Sequence, residues 1–253
     1  MCKPETPDDG ISGEKTQAHE PHPAVCDRGD ACPLGAFADL DKTSWYHDGV
    51  EWALINGVMN GVGEGLFDPD GRTNRAMIVT MLHRMESAPV VNYAMDFTDV
   101  EDDMWYTEAI RWAAANEIVT DYGDGKFGPT DPLTREQLAT ILYRCAKAKG
   151  LGSTGLWAFP LTFDDASEAS DWAYEAVCWM VMQGVIQGTG NNKLSPKGMA
   201  SRAQVATMLM RYNAAEQELL RQTMEAEQIS RQTAVSTLSY EAGRVRNSIN
   251  EMN

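Results

Sequence analysis

The stretch that decides the fold runs from Trp45 to Arg84 and reads WYHDGVEWALINGVMNGVGEGLFDPDGRTNRAMIVTMLHR. Its spacing recurs twice: counted from the first Trp, a second Trp follows after 7 residues, a Pro after 24, and an Arg after 30 and again after 39. Self-similarity of this kind is the signature of a repeat protein, so we predict three units of about 50 residues. The matching positions are Trp45, Trp52, Pro69, Arg75 and Arg84; Trp105, Trp112, Pro129, Arg135 and Arg144; and Trp172, Trp179, Pro196, Arg202 and Arg211.

Each unit is predicted to form a helix, a long loop and a second helix. In the second helix, apolar residues fall at i, i+3, i+4 and i+7, which places them on one face. A polar residue that can cap the helix precedes it in every copy: Asn74, Thr134 and Ser201. The apolar faces are Ile78, Met81, Leu82 and Met85; Leu138, Ile141, Leu142 and Cys145; and Val205, Met208, Leu209 and Tyr212.

One helix pair cannot bury both of its apolar stripes, whereas three pairs packed around a shared axis can. We therefore predict an all-α fold in which three helix-loop-helix repeats form one pseudo-threefold domain, with a C-terminal helical extension. The extra residues between the second and third copies, 149–161, are expected to form a linker. The predicted organisation is a flexible lead segment 1–35, repeats 36–90, 95–148 and 161–213, and a helical tail 214–253.

The tail has no Pro and a single Gly, which favours a helix. Its apolar residues follow a 3,4 spacing for about two and a half heptads, which is short of a coiled coil. A solvated helix, packing back on the repeats, or contact with a partner through 214–253 all remain open. The spaced residues are Val235, Leu238, Ala242, Val245, Ile249 and Met252.

The charge, hydropathy and histidine content of the chain exclude several classes of function. With 21 basic and 37 acidic residues the formal charge is −16, which argues against binding nucleic acid by bulk charge. No stretch approaches the roughly 20 apolar residues of a membrane helix, and residues 1–20 lack the apolar core of a secretory signal, so neither a membrane span nor an export signal is expected. No catalytic motif or base and nucleophile pair can be assembled around the 4 histidines, so we predict that the chain is not an enzyme.

Metal and cofactor binding are not predicted. Cys26 and Cys32 follow His19 and His22, but this spacing matches no established zinc pattern. A zinc site, a local disulfide and free thiols are the three alternatives for this pair. The Gly-rich loops superficially resemble calcium loops but lack the bidentate Glu at the twelfth position.

The repeat resembles the S-layer homology domain family of bacterial surface proteins. The residues that carry the resemblance span 36–213. The Thr-Arg-Ala-Glu signature of the family occurs only in variant form, with the Arg present and the final Glu absent in all three copies. In the first copy the matching residues are Phe37-x-Asp39, Trp45-Tyr46, Asn56-Gly57-Val58, Phe67-x-Pro69 and Asn74-Arg75-Ala76-Met77.

The resemblance implies an extracellular module at the bacterial cell wall or surface layer. Such domains bind peptidoglycan-linked polysaccharide, often decorated with pyruvate ketals, in grooves between repeats. The alternative is a protein-protein interaction or assembly module that uses the repeat surface or the C-terminal helix.

The residues independently favour an acidic glycan. An Arg in the first turn of a helix lies where backbone N–H groups already favour an anion, and its planar guanidinium matches a carboxylate. We expect these arginines to be solvent-accessible, with Arg75 and Arg135 contributing more than Arg202, because Tyr46 and Phe67 are replaced by Ala173 and Leu194 in the third copy. The candidate ligand-binding residues are Arg75, Arg135, Arg202, Trp45, Trp105, Trp172, Asp39, Asp99, Gly63 and Gly123.

The other candidates have competing structural roles. Each Trp could stack on a sugar ring or anchor the core. The carboxylates of Asp39 and Asp99 could pair with an Arg, and the loop glycines permit either a tight turn or close approach of a ligand.

Overall fold

The computed structural model describes residues 26–153 and 159–251, with side chains described as far as residue 240. Within these ranges the chain contains α-helices and two short 3-10 helices but no strands, which confirms the predicted all-α fold. Residues 1–25 and the middle of the predicted linker, 154–158, lie outside the described residues. The helices are α1 His47–Ile55, α2 Arg75–Met85, α3 Thr107–Ala115, α4 Arg135–Ala148, α5 Asp171–Met182 and α6 Arg202–Glu251.

A closed ring of backbone hydrogen bonds joins the three repeats. Thr73 donates to the carbonyl of Ala200, Ala200 donates to Leu133, and Leu133 donates back to Thr73, at 3.2, 3.0 and 2.9 Å. Each of these residues stands two positions before the second helix of its repeat. Because equivalent positions bond in a cycle, the repeats are related by an approximate threefold axis.

The predicted apolar faces are the core of this unit. Of the positions named for the second helices, all are buried except Met85, which is half-buried. The first helix of one repeat packs on the second helix of the preceding one, α3 on α2 and α5 on α4. The first helix of the first repeat packs in the same way on the second helix of the third. At Gly49 of α1 a Cβ would lie only 2.5 Å from the Cα of Thr207 in α6.

The predicted helix starts are confirmed in detail. The side chain of Asn74 accepts from the N–H of Met77, and Thr134 and Gln137 form a reciprocal capping box. Ser201 and Gln204 make the same two bonds at the start of α6. These bonds satisfy backbone donors that a helix start otherwise leaves without a partner.

The chain divides into two units between Asn213 and Ala214. The second unit is helical, as expected for the tail. Several of its apolar side chains are exposed: Met224, Ile229, Val235, Leu238 and Tyr240. The remaining residues of the predicted stripe, from Ala242 onward, lie beyond the described side chains.

The part of the lead segment that the structure describes differs from a flexible arm. Residues Pro33–Ala36 form a 3-10 helix that contacts α1, and Leu34 is fully buried. Cys32 is also buried. The folded unit therefore includes residues before position 36, because apolar groups in this segment cover α1.

Candidate functional site: three grooves between repeats

The structure brings the predicted Trp and Arg residues together in three grooves. Each groove has a volume of about 140 to 460 Å³ and takes residues from all three repeats. Its body is the loop and second helix of one repeat, its Trp comes from the following repeat, and one Arg comes from the preceding repeat. Groove I contains Arg84, Trp105 and Arg202; groove II contains Arg144, Trp172 and Arg75; groove III contains Arg211, Trp45 and Arg135.

The first Trp of each pair stands two residues before a first helix, as Trp45 and Trp105, or in its first turn, as Trp172. Since that helix packs on the second helix of the preceding repeat, the Trp projects over the neighbour's groove. Trp45 is 66% exposed and Trp172 is 58% exposed, while Trp105 is half-buried. The second Trp is buried in two copies, as Trp112 and Trp179, and serves the core.

The arginines at the helix starts are buried, so the expectation that they would be solvent-accessible was wrong. Arg75 donates from Nε to the carbonyl of Phe127 at 2.8 Å and from Nη2 to Thr120 at 3.1 Å. Arg202 bonds Phe67 and Asn60 in the same way. The helix start lies at a repeat interface, where the loop of the next repeat covers the guanidinium.

Arg135 differs from the other two in its free donors. Its Nε donates to Leu194 at 2.9 Å, whereas within the described part of the chain its two terminal nitrogens have no hydrogen-bond partner. Arg75 and Arg202 also stack on aromatic rings, at 4.7 Å from the Phe127 and Phe67 centroids. The residue equivalent to Phe127 and Phe67 at Arg135 is Leu194, so Arg135 has no aromatic ring at this position.

The predicted ranking of the arginines compared the three copies one by one, whereas each groove combines residues of all three repeats. Leu194 of the third repeat contacts Arg135 of the second. Trp172, next to Ala173, lines groove II with Arg75. Because the repeats pack in a cycle, a residue that differs in one copy changes the surroundings of an Arg or a groove of another copy.

Asp39 and Asp99 do not line the grooves; their carboxylates accept hydrogen bonds from the backbone of the loops that form them. The carboxylate of Asp39 accepts from the N–H groups of Phe67 and Asp68, at 2.9 and 2.6 Å. The carbonyl of Phe67 is the acceptor for Arg202, so one residue links the carboxylate to the guanidinium of another repeat. Asp99 with Phe127 and Asp165 with Leu194 repeat the arrangement.

Burial and these carboxylates shift the pKa values of the arginines in opposite directions. Burial lowers the pKa of the Arg135 guanidinium, and Asp165 raises it. The pKa of Arg202 is lowered by burial and raised by Asp68 and Asp39. Because a guanidinium is not deprotonated under the conditions in which proteins fold, all three stay charged.

The second Arg of each copy is a groove residue that the sequence interpretation counted in the register but did not assign to the site. Arg84, Arg144 and Arg211 are half-buried and line grooves I, II and III. In the part of the chain that the structure describes, Arg144 and Arg211 have no hydrogen-bond partner. Burial lowers the pKa of Arg211, which indicates a guanidinium partly removed from water.

Gly63 and Gly123 lie in the loops at positive φ but outside the groove linings. The lining glycines are Gly61 and Gly188. A Cβ on Gly61 would lie 2.6 Å from the ring of Phe37, and one on Gly188 would lie 2.9 Å from the carbonyl of Lys193. These two positions require glycine because the loop approaches its neighbours closely.

The S-layer homology domain model matches residues 36–76, 96–139 and 162–206, and the chain belongs to this family. Relatives include an amylopullulanase of Thermoanaerobacterium thermosulfurigenes, 31% identical over 68% of this chain and 9% of that protein. The surface-layer 125 kDa protein of Lysinibacillus sphaericus is also 31% identical, over 68% of this chain and 14% of its own length. A cellulosome-anchoring protein of Acetivibrio thermocellus is 24% identical over 60% of this chain and 34% of that protein.

The chain thus spans a small part of the relatives it matches. The family and the surface proteins among these relatives support a cell-surface anchoring module. No helix among the described residues has both the length and the apolar character needed to cross a membrane.

Proposed function

We propose that the repeats form a non-catalytic anchor that binds acidic cell-wall polysaccharide, such as a pyruvylated glycan linked to peptidoglycan, in the grooves between repeats. The observation that carries the proposal is the threefold recurrence of one constellation: a Trp from one repeat and two arginines from the other two. An aromatic face suits a sugar ring, and a guanidinium suits the carboxylate of a ketal.

The two arginines of a groove have different roles in this proposal. The buried arginines donate hydrogen bonds to backbone carbonyls of the neighbouring repeat and so hold the two sides of the groove together; they are Arg75, Arg135 and Arg202. The half-buried second arginines face the groove and supply the main contact with the ligand carboxylate. A partly desolvated charge-assisted bond of this kind is worth about 1.5–3 kcal/mol.

Groove III is the best suited to an anion. Its lining has two arginines and no acidic residue, and Trp45 presents the most exposed indole. Groove II has a larger volume, about 460 Å³ against about 340 Å³, but Asp121 lies in its lining and disfavours a carboxylate. Groove I is the smallest, at about 140 Å³. We therefore expect Arg202 to contribute little to binding.

Titration calorimetry with a pyruvylated disaccharide, and with the same sugar lacking the acid, tests the proposal. Arg211→Gln should weaken binding of the acidic sugar roughly 10- to 150-fold, the equivalent of about 1.5–3 kcal/mol. The matched control is Arg221→Gln, an exposed Arg of the tail whose loss should leave affinity unchanged. Equal affinity for the two sugars would contradict the carboxylate mechanism.

A second candidate function is supported by the exposed apolar side chains of the tail, among them Leu238 and Val235. In this alternative, 214–253 binds a partner helix and the repeats serve assembly. Retention on purified wall sacculi, compared before and after acid extraction of wall polysaccharide, distinguishes the two. Retention only on untreated walls supports glycan anchoring, while capture only by a second protein supports the alternative.

A further inference from the structure

We propose that the chain binds one zinc ion at the N-terminal cluster, formed by Cys26, Cys32, His47 and Glu51. The ligand atoms of these four side chains all lie within 4.8 Å of one another. Three of the four residues are buried: His47 is 1% exposed, Cys32 4% and Glu51 8%. Residues 26 to 32 of the lead segment and the first two turns of α1 thus converge on one point.

The spacing of the donors fits a tetrahedral ion. Zinc bonds of about 2.3 Å to sulfur and about 2.0–2.2 Å to nitrogen or oxygen place neighbouring ligand atoms roughly 3.3–3.8 Å apart. The distance from Cys32 Sγ to His47 Nε2 is 3.5 Å, within that range. The longest separation in the cluster, at most 4.8 Å, requires a movement of roughly 1 Å to reach the same geometry.

The chemistry of the donors selects zinc. Two thiolates and an imidazole are soft or borderline ligands, which calcium and magnesium bind poorly. A carboxylate completes a four-coordinate set found in zinc proteins. Because all four positions come from the protein and three are buried, the site is a structural one that leaves no open position for catalysis.

Neighbouring groups orient the ligands. Nδ1 of His47 lies 2.8 Å from the carboxylate of Asp48 and donates its proton to it, which leaves the lone pair of Nε2 on the side of Cys32 to bind a metal. The backbone N–H of Arg28 donates to Cys26 Sγ at 3.4 Å and fixes the position of this sulfur. Support of this kind, with a carboxylate behind a ligating imidazole, is typical of zinc sites.

The sequence interpretation grouped the two cysteines with His19 and His22, which lie outside the described residues. The histidine that the fold brings to the cysteines is His47, 15 residues beyond Cys32. Zinc here would fasten the lead segment to the start of α1. Trp45 stands two residues before His47, so the same ion would fix the backbone that presents this indole to groove III.

Zinc content of the purified full chain tests the inference. After reduction, incubation with zinc chloride and desalting, we expect one zinc ion per chain by elemental analysis. Cys26→Ser should abolish retention of zinc; Cys26 is the least buried ligand, so this variant should still fold. Cys178→Ser is the matched control, since this buried thiol lies outside the cluster, and it should retain one zinc ion.

Two further measurements separate ligation from a general effect on folding. Cobalt in place of zinc should give tetrahedral d–d bands and a thiolate charge-transfer band in wild type but not in Cys26→Ser. Asp48→Ala, at an exposed position, should weaken zinc binding about 10- to 100-fold through loss of the bond to His47.

The inference fails if the reduced chain retains no zinc or if Cys26→Ser retains as much as wild type. It also fails if protein purified anaerobically with zinc contains a Cys26–Cys32 disulfide in peptide mass analysis.

Discussion

Replacing the buried arginines by Ala should destabilise the repeats to different extents, and the structure gives the order. Arg202 makes two bonds to carbonyls of the first repeat and stacks on Phe67, whereas Arg135 makes one bond and has no ring beneath it. A hydrogen bond to a charged group contributes about 1.5–3 kcal/mol, and a desolvated cation–π contact up to about 2 kcal/mol.

With about 2 kcal/mol for each bond and up to about 2 kcal/mol for the ring, Arg135→Ala should lower the free energy of unfolding by about 2 kcal/mol and Arg202→Ala by about 4–6 kcal/mol. In a unit of this size 1 kcal/mol shifts Tm by about 2–4 °C, so the expected losses of Tm are roughly 4–8 °C for Arg135→Ala and 8–24 °C for Arg202→Ala. The two variants lose the same aliphatic stem, so their difference isolates the extra bond and the ring.

Urea unfolding followed by Trp fluorescence measures this difference, because 6 of the 7 tryptophans belong to the repeats and none lies in the tail. Arg221→Ala, at an exposed tail position, is the control and should stay within about 0.5 kcal/mol of wild type. Equal losses for Arg135→Ala and Arg202→Ala, or a loss below about 1 kcal/mol for Arg202→Ala, would refute the argument that these bonds hold the repeats together.

Three other perturbations follow from the same contacts. Gly49→Ala should cost about 1–3 kcal/mol in urea unfolding, because its Cβ would lie 2.5 Å from the Cα of Thr207; an unchanged midpoint would contradict that packing. The bonds from the N–H groups of Leu194 and Ser195 hold the pKa of Asp165 below its usual range, so its stabilising contribution is complete above about pH 4 and is lost as pH falls through the lowered pKa. Asp165→Asn should therefore flatten the fall of Tm with acid, and an unchanged slope would count against it. Truncation after Asn213 should leave retention on wall sacculi unchanged, and lost retention with native Trp fluorescence would assign anchoring to the tail.

Several elements could be predicted from local sequence because their causes are local. The apolar stripe from Ile78 to Met85 follows helical periodicity, and the Thr134 capping box depends on a side chain three residues away. The three matched registers also predicted that the repeats would share one core. These features involve residues within a few positions of each other, or the same spacing repeated, and both can be read without the fold.

The composition of each groove could not be predicted in this way, since it depends on how the repeats close into a ring. The bonds of Arg202 reach Phe67 and Asn60, 135 and 142 residues away. An arginine expected at the surface is therefore buried and bonds one repeat to another. The ring also places Trp45 over groove III and His47 beside Cys32. Sequence alone determined the helices, their caps and the number of repeats, because short-range sterics and burial periodicity fix them. Tertiary structure alone decided which side chains meet, because those contacts depend on the handedness and register of packing between repeats.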